Sequence, residues 1–158
     1  MIALIQRVAE ARVEVGGQDV GVIGRGILAF VGVERGDGEA EAARLADRVL
    51  GYRIFPDAER RMNLCLTDIQ GELLAVPQFT LVADTRKGTR PGFSAGALAD
   101  QGERLFMTFV EKSREQHPHV KTGKFGAYMR VSLVNDGPVT FWLQARPRES
   151  GDPGHSSS

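Results

Sequence analysis

The chain has 158 residues, sets 20 Lys and Arg against 20 Asp and Glu, and carries one cysteine. That length is enough for one domain with its own core, and charge neutrality argues against a protein that coats nucleic acid, though it allows a local basic patch. The longest apolar run, ILAFVGV at 27–33, is too short to span a bilayer; no leader with a cleavage site is expected at the start, and a lone Cys65 points to a reducing cytoplasm.

In chain order, IALIQRV, RVEV, QDVGVI and ILAFVGV are rich in β-branched residues. Gly16-Gly17 and Gly24-Arg25-Gly26 punctuate them, which predicts short strands and turns. The period then changes: Ala42, Leu45, Ala46, Val49 and Leu50 recur at helical spacing behind Glu39 and Glu41, with Gly51 placed to end the helix. GELLAVPQFTL at 71–81 reads as one buried strand or two joined ones, and 84–96 as a Gly-rich basic loop. A second helix is expected with Asp100 as N-cap and Glu103 three residues on. Leu105, Phe106, Phe109 and Val110 form its buried stripe, and His117-Pro118 closes it.

The segment VSLVNDGPVTFWLQ, 131–144, reads as a hairpin, two apolar runs around a four-residue break in which Asp136-Gly137 supplies the turn. Pro138 adds a stiffness that a mere connection does not need. Met129, Val131 and Leu133 share one face of the first run, with Phe125 in phase just upstream. Residues 1–145 thus form one α+β domain of short, largely antiparallel strands with two main helices. The tail, 146–158, is polar and Gly/Pro/Ser-rich, and is read as disordered.

Familiar catalytic signatures are missing. His117 and His119 sit together in HPH without a ligand cluster, which predicts a solvated loop, so no metal or other cofactor is expected. Cys65 has no base near it in sequence and reads as a small buried hydrophobe. Two stretches remain, VPQFTLVADTRKGTRPGFSAG at 76–96 and NDGPVT at 135–140. The first holds Gln78, Phe79 and Thr80, then the cations Arg86, Lys87 and Arg90. Cations close to an aromatic and polar groups suit a phosphate-bearing ligand with a stackable base; a plain strand and a solvated loop would also fit.

PQFTL at 77–81, ADTRKGTRPGFSAGA at 83–97 and NDGPVTFWL at 135–143 resemble the D-aminoacyl-tRNA deacylases. MIALIQRV and RVLGYRIFPDAERRMN are similar to that family too, so the resemblance spans about residues 1–144. It implies a compact, β-rich, barrel-like fold and a cytoplasmic homodimer with composite active sites. It also implies hydrolysis of the ester between a D-amino acid, or glycine, and the 3′-terminal adenosine of tRNA. Gly137-Pro138 matches a cis pair that reaches into the partner subunit's pocket to hold the substrate amino group and exclude L side chains. Arg7 matches an arginine that fixes this turn, and Phe125 and Met129 match an adenosine pocket. Arg86, Lys87 and Arg90 are expected on the tRNA.

Two departures accompany the resemblance. Pro77 stands where the family has Ser and matches a related class that removes L-alanine from mischarged tRNA; Phe79 and the intact NDGPVT favour the D-specific class. The tail is longer than the family pattern needs. Two other readings stay open here, a small acyl-ester hydrolase using Thr80 and a non-catalytic binder of RNA ends. Neither motif contains a histidine to activate Thr80. The expected chemistry therefore rests on backbone amides near Phe79 and Thr80, with Thr80 as a positioning hydroxyl and the substrate 2′-OH assisting.

Overall fold

The computed structural model describes residues 1–149. The predicted tail therefore lies largely outside the described residues; 146–149 follow the last strand without regular structure.

Strand β1 runs unbroken over Ile2–Val15, where the sequence reading had two strands. No Gly or Pro interrupts it, and the polar step around Glu10 is absorbed by shifts of register against the neighbouring strand. Strands β2 (Gln18–Ile23) and β3 (Gly26–Gly32) lie end to end along one edge of β1, with Ile23 opposite Ala11 and Gly26 opposite Val8. Helix α1 (Glu39–Gly51) follows, then the small hairpin β4 (Phe55–Pro56) and β5 (Met62–Leu64). Strand β6 (Glu72–Pro77) returns parallel to β3; after α2 (Ala99–Gln116), strand β7 (Val120–Thr122) returns parallel to β6. Most of the pairing is antiparallel, β1 with β2, β3 and β8, but the sheet is mixed, because each helix is a crossover that brings the chain back parallel to the strand before it.

The last strand, β8 (Arg130–Gln144), contradicts the hairpin reading of 131–144. Its two apolar runs do not pair with each other. Both pair with β1, Val131 opposite Val13 and Phe141 opposite Ile5. The break between them is a large bulge in one strand: Gln6 faces Thr140 and Val8 faces Asn135, so four residues, 136–139, have no ladder partner. An already extended partner as long as β1 satisfies both runs at once, which a hairpin could not improve on.

The sheet curls until its ends meet. Lys121 of β7 donates from Nζ to the Val22 carbonyl of β2, 2.6 Å away, leaving a nearly closed barrel. Alternation then sorts the side chains. Ile27, Ala29 and Val31 of β3, with Leu73 and Ala75 of β6, face the helices, while Leu28, Leu74 and Val76 fill the barrel with Val8 and Val13. The helices cover the outer face through Leu45 and Val49 of α1 and Phe106 and Phe109 of α2.

Three local expectations are corrected. The N-cap of α2 is Leu98, and no side chain caps it; Asp100 lies inside the first turn, where its charge complements the helix dipole. His117 is buried, not solvated, since the end of α2 packs against the start of β6 and brings its Nε2 to 2.6 Å from the Gly71 carbonyl. Cys65 is half-buried in a surface turn, its N–H donating to Asp68 and its Sγ 3.0 Å from the Thr67 hydroxyl, instead of sitting in the core. Phe125 lies in a turn just upstream of β8. Among the described residues no helix is long and apolar enough to cross a membrane.

Candidate active site

Strand β6 stops at Pro77, which has no N–H to continue a ladder. The Gln78 N–H still donates to the Val31 carbonyl (2.8 Å), and the chain then tightens into a 3-10 helix over Phe79–Val82. PQFTL is therefore the turn off a strand, not a strand. In this short helix Leu81 N–H bonds to the Gln78 carbonyl and Ala83 N–H to that of Thr80. The first N–H groups of a helix have no acceptor within it, and among the described residues those of Phe79 and Thr80 find none elsewhere. The Gln78 side-chain amide donates to the Thr80 hydroxyl and holds both side chains in place.

Beside this corner lies a cavity of about 480 Å³. Val31, Val76 and Pro77 form its floor, Phe106 of α2 one side, and Phe125 and Met129 another. Gln78, Phe79 and Phe93 stand at its edge. The two phenyl rings meet with centroids 5.5 Å apart, yet Phe79 remains 68% exposed. The wall contains no His, Cys, Asp, Glu, Lys or Arg. Phe93, which sequence reasoning left unassigned, had only the pattern RPGF as a signal.

The basic loop is a closed structure. Asp84 and Gly92 exchange N–H to carbonyl bonds of 2.7 and 2.9 Å, and the Asp84 carboxylate takes two hydrogen bonds from the Arg86 guanidinium, at 2.9 and 2.8 Å. These bonds, with a further one from the Arg86 N–H, hold the Asp84 carboxyl down at about 2. Arg86 is thus tied inside the loop, while Lys87 and Arg90 stand exposed at its tip.

Gly137 and Pro138, the Arg7 that serves them, and Thr80 do not line the cavity. Asn135 closes the neck of the β8 bulge: its amide oxygen accepts from the Val139 N–H (2.8 Å) and its amide nitrogen donates to the Val139 carbonyl (3.1 Å). The side chain stands in for the missing backbone partner. Arg7 donates from Nε to the Asp136 carbonyl (2.7 Å) and from Nη1 to the Ile54 carbonyl (2.8 Å). The Gly137-Pro138 peptide is cis and exposed. A Cβ on Gly137 would lie 2.6 Å from the Val139 nitrogen, so only glycine fits.

A family described as D-Tyr-tRNA(Tyr) deacylase matches residues 4–144 of this chain. The chain belongs to that family. A D-aminoacyl-tRNA deacylase of Thioalkalivibrio sulfidiphilus is 60% identical over 147 residues, covering 93% of this chain and 99% of the relative. One of Burkholderia cenocepacia is 59% identical over 152 residues, covering 93% of this chain and all of the relative. Among solved structures, the c-Myc DNA Unwinding Element Binding Protein superposes with a TM-score of 0.89 at 37% identity, over 93% of this chain and all of that one. A probable eukaryotic D-amino acid tRNA deacylase shares the fold, with a TM-score of 0.75 at 17% identity over 90% of this chain and 97% of that one. The L-alanine alternative rested on Pro77; here Pro77 ends β6 and floors the cavity, and the relatives do not favour that alternative.

Proposed function

We propose that this chain hydrolyses the ester joining a D-amino acid, or glycine, to the 3′-terminal adenosine of tRNA. Beyond family membership, one observation carries the reading: a largely apolar cavity with no His, Cys, carboxylate or basic side chain in its wall lies beside a chain corner whose Phe79 and Thr80 N–H groups have no acceptor. Such a site suits an ester that is already activated and needs only placement and charge stabilisation. Water attacks the ester carbonyl, and the Phe79 and Thr80 amides stabilise the oxyanion. One such donor typically contributes 10²–10³-fold. The bond to the ribose 3′-oxygen then breaks, the proton from water reaches that oxygen with help from the 2′-OH, and a free amino acid leaves.

The remaining roles follow from position. Phe125 and Met129 hold the adenosine against the cavity wall, while Gln78, at the cavity edge, keeps the Thr80 hydroxyl in place behind it. Lys87 and Arg90 meet tRNA phosphates, and Arg86 does so less because Asp84 already occupies it. Gly137-Pro138 does not line the cavity beside Phe79 of its own chain, and the exposed Val134, Phe141 and Trp142 flank it on β8. We assign this face to a second copy, related by a two-fold axis, so that each bulge enters the partner's cavity and excludes L side chains. The compartment is the cytoplasm, where charged tRNA is used and a thiol such as that of Cys65 stays reduced.

The test compares D-Tyr-tRNA, L-Tyr-tRNA and glycyl-tRNA with the purified protein, following loss of the labelled amino acid. Cleavage of the D and glycyl esters, with the L ester spared at least tenfold, is expected. Equal rates on the D and L esters would overturn the reading.

A further inference from the structure

The turn that carries the cavity wall also carries its least covered aromatic. Tyr128 lines the cavity mouth and is 90% exposed. It does not sit on a loose loop. Gly123 N–H bonds to the Ala75 carbonyl (2.9 Å), Ala127 N–H to that of Lys124 (3.2 Å), and Gly126 takes the positive φ of 76° that closes the turn. Lys124 N–H reaches Met129 Sδ (3.4 Å), and the Phe125 ring packs over Gly102 of α2. Phe125 and Met129 thereby face inward, while Lys124, Tyr128 and Arg130 face outward.

Charge singles out the same turn. From 117 to 135 the chain has Lys121, Lys124 and Arg130 and not one Asp or Glu, although the whole chain is neutral. Lys121 is engaged with Glu72 (3.8 Å) and the Val22 carbonyl. Among the described residues Lys124 and Arg130 form no ion pair. A rigidly presented ring between two available cations, at the mouth of a cavity, is the arrangement that binds single-stranded nucleic acid by base stacking and phosphate contact.

We propose that Tyr128 stacks the unpaired nucleotide that precedes the terminal adenosine, with Lys124 and Arg130 on the adjoining phosphates. The proposal deepens the tRNA reading above and rests on it. It makes Tyr128 a substrate-contact residue for the polynucleotide, separate from the wall that takes the adenosine.

The probe is an RNA hairpin with an unpaired 3′ CCA end, uncharged and fluorescently labelled, titrated with the full chain by anisotropy. Free adenosine is the comparison ligand. Tyr128→Ala should weaken the hairpin about tenfold and leave adenosine unchanged, while Tyr128→Phe binds as the parent does. Replacing both Lys124 and Arg130 by Ala should flatten the slope of log affinity against log salt by about 1.4, two single-strand phosphate contacts. Hairpin affinity of Tyr128→Ala within twofold of the parent overturns the proposal. So does an equal loss for adenosine, which would make Tyr128 part of the adenosine wall, or a loss of self-association by sedimentation, which would move it to a protein interface. Because the probe carries no ester, a parent protein that binds it in this way but fails to cleave D-Tyr-tRNA defeats the function reading alone.

Discussion

Arg7 holds the backbone of Asp136: its Nε donates to the Asp136 carbonyl at 2.7 Å, with the Asp136 carboxylate 3.9 Å away. The same guanidinium donates from Nη1 to the Ile54 carbonyl, and the side chain is only 13% exposed. One planar fork thus ties the base of the β8 bulge to β1 and to the segment entering β4. A cation that would otherwise lie along a strand becomes the clamp under Gly137.

Arg7→Lys should lose this clamp, because an ammonium is a point donor and cannot reproduce a fork with fixed geometry. A hydrogen bond to a charged group contributes about 1.5–3 kcal/mol, so a loss of about 2 kcal/mol is expected in urea unfolding. A bulge displaced by about 1 Å should lower kcat/KM on D-Tyr-tRNA by on the order of 10²-fold. Unchanged activity with reduced stability would limit Arg7 to a structural role.

Thr80→Ala and Thr80→Val should both keep measurable activity, within about tenfold of the parent. The Gln78 amide already occupies the hydroxyl, and no base lies in the cavity wall. Losing a true nucleophile costs on the order of 10⁶ in kcat. Single-turnover assays with circular dichroism separate the cases; abolition in both folded variants would return Thr80 to the nucleophile role.

Two inactive variants should complement each other. A chain disrupted at Pro138 keeps its own cavity, and a chain altered at Gln78 and Phe79 keeps its bulge. In a two-fold heterodimer one of the two sites is then whole. Co-expression with two affinity tags should recover up to half the parent activity in purified heterodimers. A monomer by light scattering, or silent heterodimers, would contradict the exchange.

The Asp84–Arg86 pair sets a pH expectation. The Asp84 carboxyl is lowered from an ordinary 3.8 to about 2, first by the Arg86 side-chain hydrogen bond. A lowered carboxyl supports the fold above its ordinary value and loses that support as pH falls through the folded one. Loop geometry should therefore not change between pH 5 and 8. An NMR titration should place the Asp84 midpoint near 2 and return it toward 3.8 in Arg86→Ala; a midpoint near 3.8 in the parent would show the pair to be open in solution.

Much was legible in the residues themselves. The helical stripes over 42–50 and 105–110 are buried where the spacing placed them, and β2 follows QDVGVI residue for residue. Phe125 and Met129, read as either core or pocket, do both: each packs against a core cluster and lines the cavity. These features depend on neighbours a few positions apart, and the sequence displays those neighbours directly. Phe93 and Tyr128 were not legible, because an exposed aromatic leaves no periodic mark.

Tertiary structure alone decided what lies beside each segment. NDGP between two apolar runs is a hairpin in isolation; alongside a strand as long as β1 it becomes a bulge, since both runs find their hydrogen bonds on one partner. PQFTL has a strand's composition, yet the Gln78 N–H takes the last carbonyl that β3 offers it, and the chain beyond must coil. Arg7 reads as a surface cation until β8 folds back over β1 and sets the Asp136 carbonyl against it. Local pattern determines which face of an element is apolar; pairing decides where each backbone group is satisfied, and that partner lies far along the chain, Val31 for Gln78 and, 129 residues away, Asp136 for Arg7.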